Sequence, residues 1–299
     1  MAPTCLPERV ADLGFVGLGL MGGNIARRLL AAGHHVVGDN RTVARAAWLV
    51  EAGLQLETSP RRVAEAAEVI FSSVADSAAL RAVNSGPNGI IAGLRTGSVY
   101  IDLSTVSPVA IRELVPQVEA AGCKLLDAPV SGSVATLQQG QLSFMIGGDE
   151  QALERVRPIL LDIGPKITHV GGNGQGALMK LATNLQVAVQ TLAFCESVLL
   201  AERGGIPRDR AVEVLLRSVI ASPMLAYRGP MLVRLPEQVL FNVRMMLKDV
   251  DLALEAASAV GASLPTTAQA RRVLDDGVAM GYADQEFSAM FNVLSRYAS

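Results

Sequence analysis

The sequence predicts a doubly wound α/β domain followed by an all-helical domain. Up to about residue 172, short runs typical of β-strands alternate with helical patterns, and after Gly176 only helical patterns follow. A glycine-rich turn separates the first strand-like run from the first helical pattern. Such alternation is typical of a mostly parallel sheet with helices on both faces. We therefore expect two domains, residues 1–173 and residues 174–299, joined by a long helix.

The expected strands are short β-like runs. They comprise residues 13–18, 35–39, 69–74, 99–103, 124–127, 143–146 and 167–170. Helical patterns between the early strands cover residues 21–32, 43–52, 78–84 and 108–121. The last of these has a good start signal, because Ser107 provides a capping hydroxyl and Pro108 lies in the first turn.

The second domain begins with a long uninterrupted helical pattern. Residues 177–203 contain neither glycine nor proline, and a helix of that length spans about 40 Å. Gly204 and Gly205 end it. Further helices are expected at residues 209–218, 237–260, 266–276 and 284–297.

The composition excludes several functional classes. The 299 residues include 26 Lys or Arg and 28 Asp or Glu, which leaves a formal net charge of −2. So small a charge provides no field to attract nucleic acid or an anionic membrane. Half of the residues are hydrophobic and only 4% are aromatic, so the cores are built mainly from Ala, Val and Leu. We expect a soluble globular protein with neither nucleic acid nor membrane among its partners.

The cysteine and histidine positions favour a reducing compartment. Cys5, Cys123 and Cys195 are odd in number and far apart, and the three histidines show no metal-ligand spacing either. This excludes a disulfide framework and a zinc pattern. The first twelve residues lack a signal-peptide core, and polar residues interrupt the most apolar stretch, residues 177–195. We expect a cytoplasmic protein without a metal site.

Residues 17–22 form a G-x-G-x-x-G turn between the first strand and the first helix. In that context the pattern is typical of dinucleotide-binding domains of the Rossmann type. Gly17 allows the tight turn, Gly19 lets the backbone approach a pyrophosphate, and Gly22 permits close helix–strand packing. The predicted cofactor-binding residues of this turn are Gly17, Leu18, Gly19, Leu20, Met21 and Gly22.

The end of the second strand bears on which dinucleotide binds. An acidic residue there favours NAD, whereas a nearby arginine accommodates the 2′-phosphate of NADP. The sequence offers both, since Asp39 is followed by Asn40, Arg41 and Thr42. We expect NADP as the preferred cofactor and NAD as the alternative.

Lys180 is the only charged residue between Gly176 and Glu196. Its apolar helix predicts that it lies within the protein, where an unpaired ammonium is costly and its pKa falls toward neutrality. A proton donor or acceptor working near pH 7 needs such a pKa. Asn184 follows four residues later, on the same helix face. The alternative interpretation is a lysine whose head reaches water from the domain interface.

Three more segments are candidates on weaker grounds. Residues 127–133, Asp-Ala-Pro-Val-Ser-Gly-Ser, follow a strand and could bind an anion through backbone N–H groups and a hydroxyl, or form an ordinary turn. Ser104 and Thr105 end another strand, where ligands of doubly wound sheets bind. Lys248 and Asp249 lie in a largely apolar helical region, as a functional pair or as a surface salt bridge.

In combination, these segments resemble the β-hydroxyacid dehydrogenase family, which includes 3-hydroxyisobutyrate dehydrogenases and glyoxylate/succinic semialdehyde reductases. The likeness covers nearly the whole chain after the first dozen residues. It rests on four motifs in the family's order: residues 14–22, residues 127–132, residues 174–184 and residues 248–254.

The resemblance implies a role for each motif. It makes Lys180 the catalytic acid/base, and it makes Asn184 a group that orients the substrate. The other implied substrate-binding residues are Ser131, Gly132, Phe241 and Asp249, of which Ser131 and Gly132 hold the substrate carboxylate. The implied cofactor contacts outside the glycine turn are Asn40, Arg41, Thr42, Thr105 and Lys248. The family usually has a second glycine where this chain has Ser133, which could narrow the anion pocket.

The resemblance also implies the reaction. We expect an NAD(P)-dependent oxidoreductase that interconverts a short β-hydroxy acid and its semialdehyde or keto form by hydride transfer. The expected partners are a small carboxylate substrate and further copies of the chain, in a homodimer or homotetramer formed through the helical domain. The alternatives are an imine reductase or reductive aminase, which typically has Asp or Tyr in place of Lys180, and a non-catalytic NADP-binding module.

Overall fold

The computed structural model describes residues 10–297. The described chain divides into two compact units, with the division between Lys180 and Leu181. The expected domain boundary at residue 173 lies earlier, just before the long helix begins, and stays a prediction.

The described part of the first unit contains one nine-stranded sheet. Its strands are β1 Asp12–Val16, β2 His35–Asp39, β3 Gln55–Leu56, β4 Val69–Ser72, β5 Val99–Asp102, β6 Lys124–Asp127, β7 Val130–Ser131, β8 Ser143–Gly148 and β9 Lys166–Gly171. The spatial order is β3-β2-β1-β4-β5-β6-β8-β7, and β9 pairs with β8. The strands from β1 to β6 are parallel, whereas β8 runs antiparallel to β6 and β7. The expected mostly parallel sheet is confirmed.

Helices cover both faces of this sheet. They are α1 Leu20–Ala31, α2 Ala47–Glu51, α3 Pro60–Ala66, α4 Ser77–Asn84, α5 Ile90–Gly93, α6 Pro108–Ala120, α7 Val134–Gln138 and α8 Glu150–Ile163, with a 3₁₀ turn at Val43–Ala46 before α2. Successive side chains of a strand point to opposite faces. Accordingly, Phe15 of β1 packs into a core with α1 and α8, and Val16 packs into a second core with α3 and α6.

The described part of the second unit is helical. Its elements are α9 Gln175–Arg203, which begins in the first unit, then α10 Arg208–Arg217, α11 Pro223–Arg228, α12 Val243–Ala259, α13 Pro265–Ala279 and α14 Met290–Arg296. Two 3₁₀ turns, Gly229–Leu232 and Phe287–Ala289, lie between them. Buried side chains of α9, among them Ala188, Cys195 and Val198, form the core together with α12, α13 and α14.

Helix α9 is long and apolar enough to cross a membrane. Within the described chain it is the one helix with this property, and a core helix of a soluble protein has it too. Since several of its side chains are buried in the core of the second unit, its length and apolarity are weak grounds for a membrane span.

Two expected helices of the second unit start later than the sequence pattern indicates. Residues 237–242 are not helical, and α12 begins at Val243, where the Asn242 side chain caps it by accepting the N–H of Met245 at 2.9 Å. The segment expected as a helix from residue 284 is helical only from Met290, after a 3₁₀ turn. The sequence pattern also missed α3, α5, α7, α8 and α11.

Candidate active site

The glycine turn between β1 and α1 is shaped for close approach of a ligand. Gly17 has a φ of +92°, and a Cβ atom there would collide with the Ser73 carbonyl oxygen. A Cβ atom at Gly22 would collide with the Gly17 carbonyl oxygen. At Gly19, by contrast, a Cβ atom would have no neighbour within 4 Å. The turn is therefore closed toward β4 and open at Gly19, where a pyrophosphate would need access.

Helix α1 starts at this opening without a side-chain cap. Gly19 is its N-cap residue and makes no side-chain cap hydrogen bond. Such a helix end presents N–H groups and a partial positive charge, which suit phosphate oxygens. Among the other predicted turn residues, the side chain of Leu18 is buried, Met21 is half-buried and Leu20 is exposed. The residues of this turn fit a dinucleotide.

The side chain of Asn40 braces the glycine turn. Its Oδ1 accepts the backbone N–H of Leu18 at 3.0 Å, and its Nδ2 donates to the carbonyl of Thr42 at 2.8 Å. The backbone N–H of Gly17 donates to the carbonyl of Asp39 at 2.9 Å. Both ends of the Asn40 amide are therefore engaged in hydrogen bonds within the protein. The side chains of the next two residues, Arg41 and Thr42, are exposed to solvent.

Asp39, the last residue of β2, is half-buried. Burial raises its pKa above the usual range, and a hydrogen bond from the Asn40 backbone N–H opposes that rise. A carboxylate facing the adenosine ribose would repel a 2′-phosphate. The end of β2 and the residues after it therefore contain Asp39, which suits NAD, and Arg41, which suits NADP.

A buried polar network lies at the carboxyl ends of β4 and β5. Asp102, fully buried, accepts hydrogen bonds from the Ser72 and Ser104 hydroxyls at 2.5 and 2.8 Å. Ser104 Oγ in turn accepts the backbone N–H of Val74 at 2.9 Å. Burial raises the pKa of Asp102 to about 6, although the two hydroxyls lower it. The network ties together the two loops that follow β4 and β5, including the one that carries the half-buried Thr105.

The segment after β6 contains the predicted carboxylate-binding residues. Gly132 has a φ of +137°, and a Cβ atom there would lie 2.6 Å from the side chain of Leu142. Ser131 is half-buried and Gly132 exposed. The Ser133 hydroxyl caps α7 by accepting the N–H of Thr136 at 3.2 Å. The serine that departs from the family pattern thus has a local structural role.

Lys180 and Asn184 occupy successive turns of α9. The structure corrects the expectation that Lys180 lies within the protein, since its side chain is half-buried. Asn184 is buried and donates through Nδ2 to Asp249 Oδ2 at 2.5 Å. Lys248 Nζ lies 3.0 Å from Asp249 Oδ1. Asp249 therefore contacts two other predicted residues of the second unit, Asn184 and Lys248.

Phe241 lies in the non-helical segment before α12, and a buried ion pair holds that segment. Glu286 accepts the backbone N–H groups of Leu240 and Phe241 through Oε2, at 2.8 and 3.1 Å. Its Oε1 accepts from Arg228 at 2.8 Å, and both charged side chains are buried. The Arg228 guanidinium also lies 5.5 Å from the centre of the Phe287 ring. Sequence reasoning missed this pair.

Among residues 10–297, no group of three His, Cys, Asp or Glu side chains could hold a metal ion. The fold and the glycine turn define a dinucleotide-binding protein of the Rossmann type, followed by a helical unit. The family description "NAD binding domain of 6-phosphogluconate dehydrogenase" matches residues 12–171, and "NAD-binding of NADP-dependent 3-hydroxyisobutyrate dehydrogenase" matches residues 174–294.

Individual proteins are similar over nearly the whole chain. The 2-hydroxy-3-oxopropionate reductase of Escherichia coli (strain K12) is 33% identical over 287 residues, covering 96% of this chain and 98% of that protein. A 3-hydroxyisobutyrate dehydrogenase structure from Salmonella typhimurium has a TM-score of 0.87 at 28% identity, covering 95% of this chain and 99% of that one. A structure of Psf3 in complex with NADP+ and 2-OPP has a TM-score of 0.87 at 26% identity, covering 95% of this chain and 100% of that one.

The chain belongs to the β-hydroxyacid dehydrogenase family of NAD(P)-dependent oxidoreductases. The resemblance that the four sequence motifs indicated is confirmed, as is the fold of a Rossmann-type sheet domain followed by a helical one.

Proposed function

We propose that this protein interconverts a short β-hydroxy acid and its semialdehyde or keto form, with Lys180 as the proton donor and acceptor. The observation that carries the proposal is the position of Lys180. It is the only charged residue on α9 between Gly176 and Glu196, one turn before an asparagine fixed by a buried carboxylate. A lysine one turn from a side chain that can orient the substrate is suited to donate a proton and to take it back.

Each residue has a definite task in the proposed reaction. A nicotinamide dinucleotide, when bound, supplies or accepts the hydride. Lys180 Nζ donates a proton to the carbonyl oxygen as negative charge develops there, and removes that proton in the oxidation direction. The Ser131 hydroxyl and the Gly132 backbone N–H bind the substrate carboxylate. Asn184, held by Asp249, orients the substrate, and Phe241 lines its binding site.

The cofactor-binding residues act through position and charge. The opening at Gly19 and the uncapped start of α1 suit the pyrophosphate. Thr105 and Lys248 contact the cofactor in this proposal. NADP is the preferred form, with NAD as the alternative, because Arg41 presents an exposed cation beside a turn that Asn40 braces.

Steady-state kinetics of Lys180→Ala test the catalytic role. We expect kcat to fall at least ~100-fold, the lower range of general acid–base contributions, while the Kd for NADPH changes less than about twofold. Lys166→Ala, which removes an exposed lysine from β9, is the matched control and should retain wild-type kcat. Near wild-type turnover by Lys180→Ala would refute the assignment.

A substrate screen tests the reaction class. Short hydroxy acids and semialdehydes, including 3-hydroxyisobutyrate and 2-hydroxy-3-oxopropionate, would be assayed with NADPH and NADH in parallel. We expect turnover of at least one of these substrates, with a higher kcat/KM for NADPH than for NADH. In Arg41→Ala, the kcat/KM for NADPH should fall about tenfold. Reduction of imines alone would favour an imine reductase, and NADPH binding without any turnover would favour a non-catalytic module.

We also propose a homodimer or homotetramer formed through the helical unit. Large apolar side chains of this unit are exposed, among them Ile206, Val214, Val219, Ile220 and Val233. Contiguous apolar patches on a surface mark interaction sites, and these side chains are the candidates for such a patch. Light scattering coupled to size-exclusion chromatography should give two or four times the mass of the 31.4 kDa chain. A monomer at micromolar concentration would refute this proposal.

A further inference from the structure

The helix that carries Lys180 begins without a capping side chain of its own. Gly174 accepts the N–H of Leu178 through its carbonyl at 3.0 Å and therefore occupies the N-cap position of α9. Most N-cap residues satisfy the first turn through a side-chain oxygen. Gly174 has no side chain to offer, and its φ of +86° is one that other residues rarely adopt.

Asp127, at the end of β6, supplies the missing cap from a distant part of the chain. Its Oδ1 accepts the backbone N–H of Gly174 at 2.9 Å, and its Oδ2 accepts that of Ala177 at 2.8 Å. The side chain is fully buried. A carboxylate at the positive end of a helix also interacts favourably with the helix dipole. Burial raises the pKa of Asp127, and the two backbone donors oppose that rise.

The backbones around this carboxylate are in close contact. A Cβ atom at Gly176 would collide with the Asp127 carbonyl oxygen and would lie 2.8 Å from the Gly147 nitrogen. A Cβ atom at Gly147 would lie 2.7 Å from Asp127 Oδ1. The first turn of α9 is therefore packed directly against the ends of β6 and β8, with no room for a side chain between them.

We infer that Asp127 is a positioning residue for Lys180, an inference that rests on the proposed function. Lys180 follows Ala177 by three residues, less than one turn of an α-helix. Any shift of the first turn is therefore transmitted to the Lys180 Cα atom. Asp127 also begins the segment that leads to Ser131 and Gly132. One carboxylate thus links the start of the lysine helix to the strand that leads into the proposed carboxylate-binding residues.

The experiment compares Asp127→Ala and Asp127→Asn with the control Asp149→Ala. Asp149 is also a helix-capping aspartate of the first unit, since it accepts the N–H of Ala152 at the start of α8 at 2.8 Å. The measurements, made on the full-length protein, are kcat, KM, the Kd for NADPH, the solvent deuterium isotope effect on kcat and amide hydrogen exchange over residues 175–180.

Asp127→Ala should lower kcat at least tenfold, raise the solvent isotope effect and speed exchange of the first turn of α9. The Kd for NADPH should stay within about twofold. Asp127→Asn should give an intermediate loss, because its amide retains one acceptor oxygen, and it provides the test if Asp127→Ala does not fold. Asp149→Ala should keep kcat and the isotope effect within about twofold while losing thermal stability.

Two results would overturn the inference. One is wild-type kcat in both Asp127 variants while Lys180→Ala is inactive, which would leave the proposed function intact. The other is an equal loss of kcat in Asp149→Ala, which would make the effect one of general stability. Normal turnover by Lys180→Ala would instead refute the proposed function itself, and with it the role assigned to Asp127.

Discussion

Replacement of Glu286 by alanine should strongly destabilise the helical unit. Its carboxylate is paired with Arg228, and both side chains are buried. Removing one member of a buried ion pair typically costs about 3–5 kcal/mol, because the other charge is left buried without its partner. Glu286→Ala also leaves the N–H groups of Leu240 and Phe241 without their acceptor. We therefore expect a loss at the upper end, about 5 kcal/mol.

The loss of unfolding free energy in Glu286→Ala is measured by urea unfolding, monitored by far-UV circular dichroism, which reports on the helices. A double-mutant cycle with Arg228→Met isolates the pair. Met would pack near the Phe287 ring, so Arg228→Met combined with Glu286→Gln should be more stable than either single variant. Additive losses in the cycle, or a loss below about 1 kcal/mol in Glu286→Ala, would refute the reasoning.

The same pair has a consequence for the proposed reaction. Glu286 fixes the backbone of Phe241, which we propose lines the substrate site. At a temperature where Glu286→Gln is fully folded, KM for the acid or aldehyde should rise several-fold, whereas the Kd for NADPH should not change. An equal rise in both constants would contradict an effect confined to the substrate site.

Three further predictions concern the first unit. Because burial raises the pKa of Asp102, the folded protein binds a proton on this carboxylate more tightly than the unfolded chain does. The free energy of unfolding gained from this proton is complete below pH 3.8 and is lost as the pH rises through about 6. The loss is on the order of 3 kcal/mol, and Asp102→Asn should flatten the pH dependence of urea unfolding between pH 4 and 7. Asn40→Ala should weaken NADPH and NADH binding alike, by about tenfold in titrations, because it releases the Leu18 N–H; a change for only one cofactor would contradict the bracing role. Ser133→Ala should cost about 1 kcal/mol in thermal unfolding and Ser133→Gly only a few tenths, and equal costs would argue against a cap on α7.

The sequence pattern predicted the elements whose signals are local. The strand at residues 35–39 and the long helix after Gly176 follow from alternation and from the absence of breakers, and the structure has both. The glycine turn was predictable because one strand–helix connection needs its three glycines at fixed positions, and these positions are close together in the sequence.

Features that depend on distant partners were not predictable. Residues 237–242 have a helical composition, yet they are not helical because Glu286, more than forty residues away, accepts the N–H groups of Leu240 and Phe241. The capping of α9 by Asp127 crosses 50 residues. The resemblance to a family supplied the motif containing Asp127, but not the contacts of its side chain.

Helix α9 affects how the protein could be divided. Most domain boundaries fall in exposed linkers where few contacts cross. Here the division between the compact units lies between Lys180 and Leu181, inside a continuous helix of 29 residues. Cleavage at that point would expose two helix ends and separate Lys180 from Asn184. A fragment designed for separate expression would need to include all of α9, and limited proteolysis of the folded protein should not release the two units there.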